Sequence, residues 1–224
     1  MTAKVLGYDE AGEGDVLLLV HGFPLDRTLW AEQLAGLSDI RRVVAVDLRG
    51  RGKSPDGQAD GWSIDLYADD IAATIDSLGV DQVDLAGLSM GGYVVFNVLR
   101  KHPEKVRSLI LIDTKSGDDP PEAKEGREKT AILVREKGTA ELVNALLPKL
   151  FAPVATDAVK DKVRAMFENT PSETAAADAL AMRDRVDSTP DLAEIKIPTL
   201  VLHGADDALM PSAGAKDMAS AIPG

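Results

Sequence analysis

Five short runs, apolar at odd and even positions alike, constrain the fold of this chain more than any other feature. They are Val16 to Val20, Val43 to Val46, Val83 to Ala86, Leu109 to Ile112 and Thr199 to Leu202. A strand without polar alternation has both faces covered, as in a parallel sheet flanked by helices. Helical patterns alternate with the runs. Ile64, Tyr67, Ile71, Ile75 and Leu78 recur at steps of three and four and place one apolar stripe on a helix. Ser63 stands where an N-cap belongs and Gly79 where a helix stops. The pattern predicts an α/β fold with a mostly parallel sheet, helices on both faces and right-handed crossovers.

The alternation breaks between about residues 115 and 190. Asp118-Asp119-Pro120-Pro121 opens a charged, alanine-rich stretch with helical spacing and no strand pattern. Ile132 and Leu133, then Leu142, Val143, Leu146 and Leu147, mark two apolar faces. Phe151, Val163, Met166 and Phe167 mark a third, and Ala175 to Val186 a fourth helix. The chain therefore divides into a core part (1–115), a helical insertion over one sheet edge (116–190) and a second core part (191–224). A length of 224 residues suits one core with an insertion.

With 25 Lys and Arg against 37 Asp and Glu, the formal net charge is −12. Such a surface repels phosphate backbones and anionic lipid, which excludes nucleic acid and membrane surfaces as expected partners. The absence of cysteine rules out disulfides, thiolate metal sites and a thiol nucleophile. Val16 to Val20, the longest apolar run near the start, is far too short for a membrane span, and no secretory signal is evident. The expected location is cytoplasmic.

Gly87-Leu88-Ser89-Met90-Gly91-Gly92 joins the run Val83–Ala86 to the helical pattern Tyr93–Arg100. A nucleophilic serine has to stand at the C-terminal end of a strand, on a turn too sharp for side chains on its neighbours. Gly87 and Gly91 remove the clashing Cβ atoms. The Met90 N–H then faces the place where an oxyanion forms, at a helix N-terminus. Ser89 is the expected nucleophile.

A second oxyanion donor has to come from a loop after another strand. His21-Gly22-Phe23-Pro24 follows the run Val16–Val20, with Phe23 N–H as the expected donor and His21 as a brace of the loop. Asp47 to Ser54 holds two glycines and three cations, but its spacing fits neither a P-loop nor a dinucleotide fingerprint. It is a structural loop in which Asp47 bonds local N–H or Arg groups. Leu202-His203-Gly204-Ala205-Asp206-Asp207 supplies two adjacent carboxylates that compete to orient a catalytic imidazole.

These four features, in this order, closely resemble the α/β-hydrolase superfamily, in particular its small cofactor-free esterase and lactonase members, including the 3-oxoadipate enol-lactonase type. The resemblance covers essentially the whole chain. It implies Ser89 as nucleophile, an oxyanion hole from the Phe23 and Met90 N–H groups, and Asp207 as the acid, with Asp206 a loop residue and Asp113 a distant second. It also implies that the insertion is a cap over the site. Trp30 and apolar cap residues are expected to line the pocket. No cofactor or metal is implied. The substrate implied is a small-molecule ester or lactone.

The family order is serine, acid, histidine. No histidine follows Asp207 here, where Pro211 to Ile222 has a helix pattern and Ile222-Pro223-Gly224 resembles the start of a turn into one more strand. Of the three histidines present, His21 belongs to the oxyanion loop, His102 lies far along the helix after Ser89, and His203 ends the acid strand. The expectation is a chain truncated before a final strand and helix, nearly inactive alone, with the acid strand left as an exposed sheet edge. It should pair with a second copy or a complementing C-terminal segment. Peroxide-using chemistry of the perhydrolase or haloperoxidase kind and a non-catalytic ligand-binding role on the same scaffold are the alternatives.

Overall fold

The computed structural model describes residues 1–56 and 59–223, so Gly224, the end of the expected turn, lies outside the described residues. Six strands form one sheet: β1 (Tyr8–Ala11), β2 (Val16–Val20), β3 (Arg42–Val46), β4 (Val83–Leu88), β5 (Val106–Ile112) and β6 (Thr199–Leu202). Their order is β1-β3-β2-β4-β5-β6. β1 runs antiparallel to β3, and every other pair is parallel. All five apolar runs are strands. β1 is the sixth; it lies half-covered at one edge and so lacks their unbroken apolar character. At the other edge of the described sheet, β6 leaves Leu200 and Leu202 50% and 44% exposed.

The helices α1 (Ala31–Leu37), α2 (Ile64–Ser77) and α3 (Met90–Lys101) cover the sheet. Ser63 caps α2 by accepting from Leu66 N, and Gly79 follows the helix at φ +72°. Tyr67, Ile71 and Ile75 of α2 and Val94, Val95 and Val98 of α3 pack with Leu18, Val20, Val44 and Leu85 on one face. Leu34 and Leu37 of α1 pack with Leu19, Val43 and Ala45 on the other.

Residues 116–190 hold α4 (Pro121–Lys137), α5 (Ala140–Leu150), α6 (Asp157–Asn169) and α7 (Ser172–Arg183). They build a core of their own around Val134, Leu142, Leu147, Phe167 and Ala179, which Leu25 of the sheet domain joins. The register of α4 differs from expectation. Ala131 and Val134 point inward, while Ile132 is 55% exposed. α7 ends at Arg183, so Val186 falls outside it. α8 (Ser212–Ala221) follows β6 and buries Ala215 and Met218.

Buried polar contacts tie these helices to the core. Asp178 of α7 pairs with Arg51 and accepts from Tyr67 Oη at 2.6 Å. Arg51 also donates to Leu25 O at 3.0 Å, and Thr174 Oγ1 to Gly50 O at 2.8 Å. Asp119 gathers Arg185, Lys115 and Arg127 at 2.8 to 3.0 Å, while Arg185 stacks 4.2 Å over the Tyr93 ring.

Gly126 sits exposed inside α4, with nothing within 4 Å of an added Cβ. Glycine costs a helix interior about 1 kcal/mol relative to alanine. Gly126→Ala is therefore expected to stabilise the protein by roughly 0.5–1 kcal/mol, checked as a higher urea midpoint with an unchanged slope.

Candidate active site

β4 ends at Leu88 and α3 begins at Met90, which leaves Ser89 as the single residue of the turn. Ser89 adopts φ 53°, ψ −113°, a conformation that side chains rarely occupy. The surroundings hold it there. Ser89 N donates to Ile112 O at 2.9 Å, and Ser89 O accepts from Gly92 N at 2.9 Å and Thr114 Oγ1 at 2.8 Å. Glycine is required on both sides because backbones touch. A Cβ on Gly87 would stand 2.4 Å from Gly91 O, and one on Gly91 2.3 Å from Val20 O. Thr114, which clamps the turn from the segment after β5, carried no signal in the sequence.

The loop after β2 lies against this elbow, so close that a Cβ on Gly22 would stand 3.2 Å from Ser89 Cβ. Leu25 N donates to Gly22 O at 2.9 Å, and the Phe23–Pro24 peptide is cis. Phe23 N–H makes no hydrogen bond among the described residues. Met90 occupies the first turn of α3, where N–H groups have no intrahelical acceptor. Both N–H groups are thus available to a ligand.

His21 is the loop's brace. Its Nε2 accepts from Leu48 N at 3.0 Å, so Nδ1 carries the hydrogen and donates to Gly22 O at 2.9 Å. Burial, reinforced by the Arg51 charge, lowers its pKa to about 3 and keeps the ring neutral. Asp47 is wholly buried and does what its loop needs. It accepts from Arg27 N at 2.9 Å, Arg27 Nη1 at 2.7 Å and Lys53 N at 2.7 Å.

Ser89 opens into a cavity of about 460 Å³. Gly22, Phe23, Leu25, Leu29 and Leu88 line it from the core, and Phe151, Val159 and Val163 from the cap. Asp113, Asp206 and Asp207 line the same cavity. Trp30 corrects an expectation. It is 6% exposed, packs with Leu19, Val43, Ala45 and Ala86, and is absent from the lining, where its neighbour Leu29 stands instead. An indole of that size finds its burial under the sheet.

Asp207 Oδ1 accepts from Leu209 N at 2.7 Å and Met210 N at 2.9 Å, which orients the carboxylate. Asp113, at φ 40°, accepts from Gly204 N at 2.6 Å and so ties the end of β5 to the loop after β6. His203 lies between the two acids, with Nδ1 3.6 Å from Asp113 Oδ1 and Nε2 3.8 Å from Asp207 Oδ2. His102 pairs with Asp69 at 2.9 Å, at the far end of α3. Among the described residues no side chain hydrogen-bonds to Ser89 Oγ, and no helix is long and apolar enough to cross a membrane.

A mostly parallel sheet with a strained serine between strand and helix, facing a capped cavity, defines a recognisable class of protein. Residues 15–224 match the family model described as alpha/beta hydrolase fold, and the chain belongs to that family. It is 32% identical to an AB hydrolase superfamily protein, YisY, of Bacillus subtilis (strain 168), over 96% of this chain and 82% of that one. Among solved structures it is similar to a thermophilic esterase from Thermogutta terrifontis, at 41% identity and a TM-score of 0.94, covering 97% of this chain and 81% of that one. The enol-lactonase from Burkholderia xenovorans LB400 is similar at 28% identity and a TM-score of 0.89, with 98% and 85% covered.

Proposed function

We propose that this chain is a serine hydrolase scaffold for small carboxylic esters or lactones. In this reading Ser89 attacks the carbonyl carbon, the Phe23 and Met90 N–H groups hold the oxyanion, and Asp207 orients the imidazole that moves the proton. The observation that carries the reading is the positive-φ serine opening into the apolar cavity. Strain of that kind persists only where the surroundings over-determine it, as they do at functional turns. A cavity of about 460 Å³ suits a small, largely apolar ligand. The similarity to an esterase and an enol-lactonase supports the ester and lactone class.

In this reading the base is not among the three histidines of these 224 residues. His21 has both nitrogens engaged, His102 lies at the far end of α3, and His203 bonds Met210 O at 2.5 Å. Without a base the hydroxyl stays protonated and weakly nucleophilic. Loss of a triad histidine can lower turnover on the order of a million-fold. In this reading the chain alone turns over slowly, and an imidazole from a complementing segment or second copy restores the rate.

Both halves of the reading are tested with p-nitrophenyl acetate and excess imidazole. Turnover is expected to be slow without imidazole and to rise with it, above the rate that imidazole gives with Ser89→Ala, and mass spectrometry is expected to find one acetyl group on Ser89 and none in Ser89→Ala. Equal labelling of the two proteins would refute the nucleophile. Fast turnover without imidazole, lost in Ser89→Ala, would refute the missing base.

A further inference from the structure

We propose that Asp113, His203 and Asp207 form a binding site for a divalent transition-metal ion such as Zn²⁺. One ligand atom from each of the three lies within 4.8 Å of the others. The His203 ring supplies an independent observation. Its side chain is only 7% exposed, and its Nδ1 is buried with no hydrogen-bond partner among the described residues. A carbonyl only accepts, so the 2.5 Å contact with Met210 O puts a hydrogen on Nε2. A neutral ring then presents a lone pair at Nδ1, and it faces Asp113 Oδ1 at 3.6 Å.

In the neutral ring these are two acceptors facing each other with no donor between them. A metal ion satisfies both. Zn²⁺ bonds imidazole nitrogen and carboxylate oxygen at about 2.0–2.2 Å, so tetrahedral angles put two ligand atoms about 3.4 Å apart. The Nδ1 to Oδ1 separation is already close to that. Asp113 Oδ1 is also held by Gly204 N, which fixes the carboxylate toward the ring. Asp207 uses Oδ1 for the loop N–H groups, and its Oδ2 lies nearer Nε2 of the ring, at 3.8 Å, so the third position is filled by a turn of the Asp207 side chain toward Nδ1 or through a bridging water. Water completes the shell from the cavity. One imidazole and two carboxylates suit Zn²⁺ over Mg²⁺, which prefers oxygen ligands and retained waters.

The site has a regulatory consequence, which rests on the function proposed above. Asp207 engaged by a metal is not free to orient an imidazole, so metal occupancy would oppose hydrolysis at Ser89.

The test does not depend on activity. Untagged, metal-free protein of all 224 residues is titrated with Zn²⁺ and with Mg²⁺ by calorimetry. One Zn²⁺ is expected to bind, with Mg²⁺ giving no comparable heat. Affinity should fall about tenfold or more in His203→Gln and in Asp113→Asn, and stay unchanged in His102→Gln. Circular dichroism establishes that each variant is folded. Absence of Zn²⁺ binding, or binding of the same strength in both His203→Gln and Asp113→Asn, would overturn the site. Either result leaves the acylation of Ser89 untouched, so the two proposals fail separately.

Discussion

Asp178→Ala is expected to lower the unfolding free energy by about 3–5 kcal/mol at neutral pH, the usual cost of breaking a buried ion pair from one side. Asp178 and Arg51 expose 0% and 1% of their side chains, and Arg51 comes from the core loop while Asp178 comes from α7. Burial pushes the Asp178 carboxyl above its ordinary range, against the pull of Arg51 and Tyr67. The carboxylate is therefore tolerated only because its partners are there. Removing it strands a buried guanidinium and takes the acceptor from Tyr67 Oη. Urea denaturation measures the loss. Arg51→Met with Asp178→Leu should recover most of it, since both charges then leave together. Equal losses in the single and double variants would mean that shape, and not the stranded charge, sets the cost.

The second large effect is at Asp119, whose side chain is 2% exposed and faces Arg185 at 1%. Burial alone would raise its pKa, but hydrogen bonds from Arg185, Lys115 and Arg127 outweigh it and hold the carboxyl well below the usual range. A carboxyl with a lower folded than unfolded value adds stability above its unfolded pKa, about 3.9, and loses it as pH falls further. Asp119→Asn is expected to cost about 3 kcal/mol at pH 7 by leaving Arg185 unpaired. The variant's stability should also fall less steeply below about pH 4. Parallel stability curves for the two proteins would remove Asp119 from the acid response.

Much of this was legible in the residues themselves. The apolar runs place five strands: β2 to β5 are covered on both faces and so lack polar alternation, and β6 carries the same pattern although Leu200 and Leu202 stand exposed. Ser63 and Gly79 bracket α2 because caps are local chemistry. The elbow reads clearly because close backbone contact leaves only glycine at positions 87 and 91. What escaped depends on tertiary position. β1 is an edge strand with mixed burial, and α1 is a short helix of two turns with no buried residue. Ile132 and Ala131 exchange faces because α4 packs on α7, which its own spacing does not reveal. Trp30 is expected in the pocket from the sequence, and its burial against β2, β3 and β4 follows from where the segment before α1 meets the sheet. Asp113 joins the acid loop through a contact that spans 91 positions of sequence.

The cavity has two kinds of wall. One belongs to the turns that follow β2, β4, β5 and β6, where Phe23 stands beside Ser89, Asp113 and Asp207, the last three held by backbone bonds or strain. The other belongs to α5, α6 and their connection, where Phe151, Val159 and Val163 take no part in the sheet. Because that second wall packs on a core of its own, substitutions there can reshape what fits without disturbing the elbow. Changing one wall while the other keeps its geometry gives such a scaffold a short evolutionary route from one acyl group to the next.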